Sequence, residues 1–303
     1  MTTLWIDCKY GIAGDMLLAS LIDLGADQAR VEAEIKKLNI EDFTFGIVKK
    51  NVLGITANYL KLDLFGHDQP SPAYPHHDEH AHDHGHHHHH DEHAHDPVHH
   101  HHDEHAHDHV HHHHHGDHTH DHDHHSHTHH HDHDHRSAAD IYHLINHSDL
   151  SPYVKEKSIL LFKEIARAES KIHGVPEAEV HFHEVGALDS IIDIIGVCAA
   201  LEDLAVDKIY ASPVPTGHGL VTMAHGLYPI PAPATAEILV GVPLAEFSEK
   251  GELTTPTGAA FLKVLVDEFS ESPGGIIEKI GYGAGTANFA HPNVLRTVLL
   301  KKK

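Results

Sequence analysis

Leu4-Trp5-Ile6-Asp7-Cys8-Lys9-Tyr10-Gly11-Ile12-Ala13-Gly14-Asp15-Met16-Leu17-Leu18 is a short apolar run, a glycine-bearing turn and the start of a second apolar run. The first run predicts a buried strand over Leu4, Trp5 and Ile6. The second predicts a helix whose apolar positions include Met16, Leu17, Leu18, Leu21, Ile22 and Leu24, with Gly25 as its stop. A strand, a tight turn and a helix N-terminus make an anion cradle, so Gly11, Gly14 and Asp15 are candidates for holding a phosphorylated ligand. Ordinary turn geometry explains the two glycines equally well. Asp7 and Asp15 flank the turn, as caps, as ion-pair partners or as the lining of a cleft.

Working outward, a second helix is expected over residues 27–38, with Val31, Ile35 and Leu38 on one face. Alternation over residues 43–49 and 55–64, around Asn51-Val52-Leu53-Gly54, predicts a β-hairpin. After a long polar insert, Ser137-Ala138-Ala139-Asp140 reads as a capping box. Ser151-Pro152 opens a longer helix that runs to about His173 and ends at Gly174. Residues 208–211 form a short strand, residues 212–231 a Gly/Pro-rich stretch with little regular structure, and residues 231–239 a helix. Thr255 caps a further helix with Pro256 at its first position, so Thr255, Thr257 and Gly258 form a second candidate phosphate site. Residues 276–280 make a strand that runs into Gly281-Tyr282-Gly283-Ala284-Gly285, and residues 294–300 the last strand. Helices and strands alternate around a local hairpin, so the fold class is α+β: residues 1–70 an N-terminal α/β part, residues 137–303 the main α+β part.

Between them lies residues 71–136, whose core, residues 76–135, holds 35 of the chain's 44 histidines and 14 of its 45 acidic residues. Asp-Glu-His-Ala-His-Asp occurs at Asp78, Asp91 and Asp103. Blocks of imidazoles separate the copies: His86, His87, His88, His89 and His90; His99, His100, His101 and His102; His111, His112, His113, His114 and His115. Val98 and Val110 are its only branched apolar residues, too few to offset the backbone entropy of ordering, so the tract is expected to be disordered. Imidazoles interleaved with carboxylates suit nickel, copper or zinc, and composition alone does not choose among them. The bland alternative is an acidic spacer.

Val180-His181-Phe182-His183-Glu184-Val185-Gly186-Ala187-Leu188-Asp189-Ser190-Ile191-Ile192-Asp193 is the other chemistry-bearing segment. On an extended strand His181 and His183 share a face. Asp189 and Asp193 share a face of the helix that follows. His181, His183 and Glu184 are catalytic candidates, as metal ligands, as an acid–base pair, or simply as a hydrogen-bonded junction. His218 and His225, each beside glycine in the irregular stretch, sit where backbone can approach a ligand, and His225 joins the catalytic candidates.

The formal charge of −24 divides into −14 in residues 76–135 (14 acids, no Lys or Arg) and −10 elsewhere. No basic stripe offers itself to nucleic acid. No apolar run is long enough for a membrane span. With two cysteines, Cys8 and Cys198, and no signal-peptide layout, a cytoplasmic protein without a disulfide is expected.

Several of these stretches resemble a known family. They include Asp7-Cys8 with Gly11-Ile12-Ala13-Gly14-Asp15-Met16, and His181-Phe182-His183-Glu184-Val185-Gly186-Ala187-Leu188-Asp189. Others are Gly251-Glu252-Leu253-Thr254-Thr255-Pro256-Thr257-Gly258, Gly281-Tyr282-Gly283-Ala284-Gly285 and Pro292-Asn293-Val294-Leu295-Arg296. Together they resemble the LarC family, the nickel-insertion proteins of nickel-pincer cofactor biosynthesis. The resemblance implies a nickel chelatase of the lyase class. Its substrate would be pyridinium-3,5-bisthiocarboxylic acid mononucleotide, its product the cofactor of lactate racemase. It also implies dependence on CTP and a divalent metal, with the nucleotide held in a C-terminal domain. Lys301-Lys302-Lys303 directly after a predicted strand adds the expectation of a frameshifted gene, the further domain being supplied by frameshift or by a second chain. Two other functions fit the composition: a non-catalytic nickel store or delivery protein, and a metal-dependent hydrolase using His181 and His183.

Overall fold

A computed structural model describes residues 2–40, 43–64, 136–182, 188–223 and 226–301. The expected metal-binding histidines of the tract, together with His183, Glu184 and His225, lie outside them.

The chain starts with β1 (Thr2–Asp7), the turn, α1 (Gly14–Leu24) and α2 (Gln28–Lys36), then the hairpin β2 (Phe43–Val52) and β3 (Ile55–Leu64). After the tract come α3 (Ala138–His147), α4 (Pro152–His173), α5 (Leu188–Asp203) and β4 (Lys208–Ala211). The short strands β5 (Gly217–His218), β6 (Leu220–Met223) and β7 (Gly226–Pro229) precede α6 (Pro233–Ile238) and β8 (Gly251–Glu252). α7 (Pro256–Leu265), β9 (Glu268–Phe269), β10 (Ile276–Ala284) and β11 (Val294–Lys301) complete the order. The fold is α+β, as expected.

Local chemistry sets most helix ends. In α3 the Ser137 hydroxyl accepts from the Asp140 N–H at 3.2 Å, and the Asp140 carboxylate accepts from the Ser137 N–H at 3.0 Å. Ser151 caps α4 in the same way through the Val154 N–H, Pro152 fills its first turn, and Gly174 ends it in the left-handed region at φ 67°. Thr255 caps α7 by accepting from the Gly258 N–H at 3.2 Å.

Among the described residues seven strands form one mixed sheet in the order β2-β3-β10-β11-β1-β4-β9. β1 runs antiparallel to β11 and parallel to β4, and β10 and β11 form an antiparallel pair. Strands from both sides of the histidine tract therefore share one sheet, and a single apolar cluster joins Leu4, Leu17 and Leu21 to Phe162, Ile192 and Phe261. Each such fully buried side chain contributes roughly 1.5–3 kcal/mol.

Two expectations are revised. β10 does not stop at Ile280 but continues through the glycines to Ala284. α1 lies directly on its backbone: a β-carbon on Gly281 would fall 2.2 Å from the Ser20 carbonyl oxygen, and one on Gly283 1.9 Å from that of Met16. Those glycines are there for close helix–sheet contact. The Gly/Pro-rich stretch, expected to be irregular, contains the antiparallel pair β6–β7, with Val221 opposite Tyr228 and Thr222 opposite Leu227.

Candidate functional site

The C-terminal ends of β1, β4 and β10 and the N-terminal end of β11 meet at one edge of the sheet, the place where side chains from several elements converge. Asp7, at the end of β1, accepts a 2.9 Å hydrogen bond from Arg296 Nε and a second, shorter one from Nη2. The Arg296 guanidinium also lies 5.8 Å from the Trp5 ring centroid. Asp7 is thus an ion-pair partner that ties β1 to β11. Next to it the Cys8 N–H donates to Ser212 Oγ at 2.9 Å. Burial, and then the Asp7 charge, push the Cys8 thiol well above its ordinary value, and burial pushes Cys198 to about 12. Neither cysteine is a ready thiolate.

The turn after β1 packs against the turn before α7. The Ile12 N–H donates to the Leu253 carbonyl, and the Thr255 N–H to the Ile12 carbonyl. A β-carbon on Gly11, at φ +96°, would lie 1.9 Å from the Leu253 oxygen, and one on Gly258 2.2 Å from the Ile12 oxygen. The structure thus brings the two groups of phosphate candidates together, Gly11, Gly14 and Asp15 with Thr255, Thr257 and Gly258. Gly11 and Gly258 are accounted for by backbone-to-backbone contact, and Thr257 is buried.

A set of carboxylates occupies the start of α1. Asp15 Oδ1 accepts from the Met16 N–H at 2.7 Å, and the Asp15 N–H is held by Asp193 from α5. Asp193 sits against Gly14, and Asp189 lies one turn earlier on α5. The first N–H groups of α1 are therefore used inside the protein. Asp15 and Asp193 are half-buried and Asp189 is more open. Removal from water, and then the Asp189 charge, raise the Asp15 carboxyl to about 6 against the Met16 hydrogen bond. Asp193 is raised well above the ordinary range by burial and by the charges of Asp15 and Asp189, and Asp189 moves in the same direction through desolvation. Lys50 counters the cluster electrostatically. Its ammonium donates to the Gly285 carbonyl at 2.9 Å and lies 4.9 Å from the Tyr59 ring centroid. Tyr59 in turn is raised by burial and by Asp15.

A ring cluster adjoins the turn. His291 stacks on Tyr10 at 4.6 Å and on Phe289 at 5.0 Å, with Phe247 edge-on at 5.0 Å. Its Nε2 is buried 3.7 Å from Glu249 Oε2, with no hydrogen-bond partner among the described residues. Sequence reasoning passed over this group and over Lys50 and Tyr59, which only the folded chain brings near Tyr10 and Asp15.

His181 is exposed and pairs through its backbone with Ser137 at the start of α3. No three His, Cys, Asp or Glu side chains among the described residues converge to hold a metal ion. A closed ligand set of the kind a metal-dependent hydrolase needs is absent from those residues. No helix among them is long and apolar enough to cross a membrane.

Comparison with known proteins gives this geometry its context. A curated pyridinium-3,5-bisthiocarboxylic acid mononucleotide nickel insertion protein of Staphylococcus saprophyticus is 43% identical over 295 residues, 97% of this chain and 59% of the relative. Proteins of the same description from a Thermotoga species and from Clostridium kluyveri are 41% and 40% identical, over 99% of this chain and 61% and 62% of their own lengths. The chain thus spans about six-tenths of the length of these curated relatives. No solved structure matches it. The family model described as nickel insertion protein matches residues 4–303, and the chain belongs to that family.

Proposed function

We propose that this chain takes part in inserting Ni²⁺ into pyridinium-3,5-bisthiocarboxylic acid mononucleotide, the substrate named for its relatives, as a nickel chelatase. Nickel is the cargo, drawn from the histidine tract. CTP with a divalent metal is the co-substrate that the family resemblance carries, and no residue of this chain is assigned to it.

The observation that carries the proposal is the Asp15–Asp189–Asp193 cluster. To form a pincer held by two sulfurs and a ring carbon, the ring C–H must lose its proton as the Ni–C bond forms. A base matched to neutral pH is needed at that step. Asp15, raised to about 6 by burial and by Asp189, has that character, and the surrounding negative charge favours an approaching dication. The close packing of Gly11 and Gly258 explains those residues without a phosphate, so the proposal rests on the carboxylates.

The test is incubation of the thiolated mononucleotide with Ni²⁺ and this chain, with and without CTP, followed by mass spectrometry for the nickel product. The Staphylococcus saprophyticus relative serves as positive control. Asp15→Asn is expected to lower the insertion rate of this chain by about 100-fold or more. Insertion by folded Asp15→Asn at the unsubstituted rate would overturn the assignment.

A further inference from the structure

Two histidines on α3 stand apart from the site above. His143 and His147 are one turn apart, both exposed, with ring centroids 3.9 Å apart and planes inclined by 30°. Residues four apart share a helix face, so both imidazoles leave the helix in the same direction. His147 Nδ1 lies 2.9 Å from the His143 carbonyl oxygen. A carbonyl only accepts, so Nδ1 carries the hydrogen, and in the neutral ring the lone pair is on Nε2. That is the arrangement found around metal-bound imidazoles, where the second nitrogen donates to a backbone carbonyl. Among the described residues the His143 ring has no hydrogen-bond partner. It is therefore free to turn its own nitrogen toward the same point.

The surroundings favour a cation. Asp140, one turn before His143, feels the charges of both His181 and His143, and its carboxyl is held below the usual range chiefly by the Ser137 hydrogen bonds. We propose that His143 and His147 form a two-imidazole chelate for a borderline divalent transition metal of the nickel, copper or zinc class, with Asp140 as its electrostatic neighbour. Binding replaces two water ligands of the aqua ion by the Nε2 lone pair of His147 and one ring-nitrogen lone pair of His143. The remaining positions stay open to water or to another ligand. Such a half-saturated site holds a metal and releases it readily, unlike a closed structural site. The helix that carries it, α3, begins at Ala138, three residues after the histidine tract ends at His135.

The proposal does not depend on insertion chemistry, because binding is read without substrate. Carbethoxylation rates of individual histidines would be measured by mass spectrometry on the whole chain, with and without Ni²⁺ at concentrations that saturate the tract. Ni²⁺ should slow modification of His143 and His147 together by roughly tenfold or more, since the second ligand binds at high effective concentration. Mg²⁺, which prefers oxygen ligands, should not. In His147→Ala, a substitution on an exposed face of the last turn, His143 should react with Ni²⁺ present as fast as in the same variant without metal. His143→Ala should do the same to His147. Unchanged rates in the native chain under saturating Ni²⁺ would overturn the proposal, as would protection of His143 that survives His147→Ala.

Discussion

Asp193 of α5 lies so close to Gly14 of α1 that a β-carbon there would come within 2.5 Å of its Oδ2 and 2.8 Å of its own Cβ. The contact joins the first turn of α1 to the second turn of α5 and places the Asp193 carboxylate beside that of Asp15. Gly14→Ala should therefore push Asp193 aside, with an overpacking cost of about 1–3 kcal/mol. Urea denaturation would read this as a lower midpoint at unchanged slope, and an unchanged midpoint would show that α5 moves freely.

The same cluster sets a pH dependence. Asp15 has an ordinary value near 3.8 in the unfolded chain and one of about 6 in the fold. Below both values it is protonated in either state and costs nothing. As pH rises from about 4 to about 6 the unfolded chain loses its proton first, so stability falls through that window. The loss is on the order of 2–3 kcal/mol. Asp15→Asn should be more stable than the native chain at pH 7 and about equal to it at pH 3, by denaturation at the two pH values. Greater stability at pH 3 alone would contradict the sign.

Gly283 offers a harsher test than Gly285. A β-carbon on Gly283 meets the Met16 backbone at 1.9 Å, whereas on Gly285 it meets side-chain atoms of Asn293 and Met16 at 2.6 and 2.9 Å. Backbone cannot rotate away. Gly283→Ala is expected to cost more than about 4 kcal/mol and to abolish cooperative thermal unfolding. Gly285→Ala should remain folded with a lowered midpoint.

Deleting residues 76–135 should leave insertion intact at saturating Ni²⁺ and reduce it when nickel is scarce. A flexible ligand set concentrates metal but does not fix reacting atoms. Inactivity of a folded deletion variant at high Ni²⁺ would refute the reservoir role.

Local signals in the chain translated well into structure. Ser151-Pro152 and Gly174 bound α4 as read, the Ser137–Asp140 box is formed, and β2 and β3 pair around Leu53-Gly54. What was hidden depends on partners distant in sequence. Nothing near Gly281 or Gly283 announces that α1 will lie on them, so the glycines looked like the end of a strand. Asp7 and Arg296 are 289 positions apart. The i, i+4 spacing of Asp189 and Asp193 was visible, but their meeting with Asp15 follows only from the packing of α5 on α1. His291 gave no signal, because two of its ring neighbours, Tyr10 and Phe247, come from loops distant in sequence.

The strand order has a consequence for synthesis. β10 and β11 fill the gap between β3 and β1, so a nascent chain holds β1 and the β2–β3 hairpin apart until residues 276–301 leave the ribosome. At ordinary elongation rates that is a wait of about 15–60 s, during which β1 keeps an unpaired edge and α1 lacks the β10 and β11 part of its sheet floor. Such long-range closure folds slowly and exposes apolar surface meanwhile. Chaperone dependence during expression should fall when the β10–β11 hairpin is moved ahead of β1 by circular permutation.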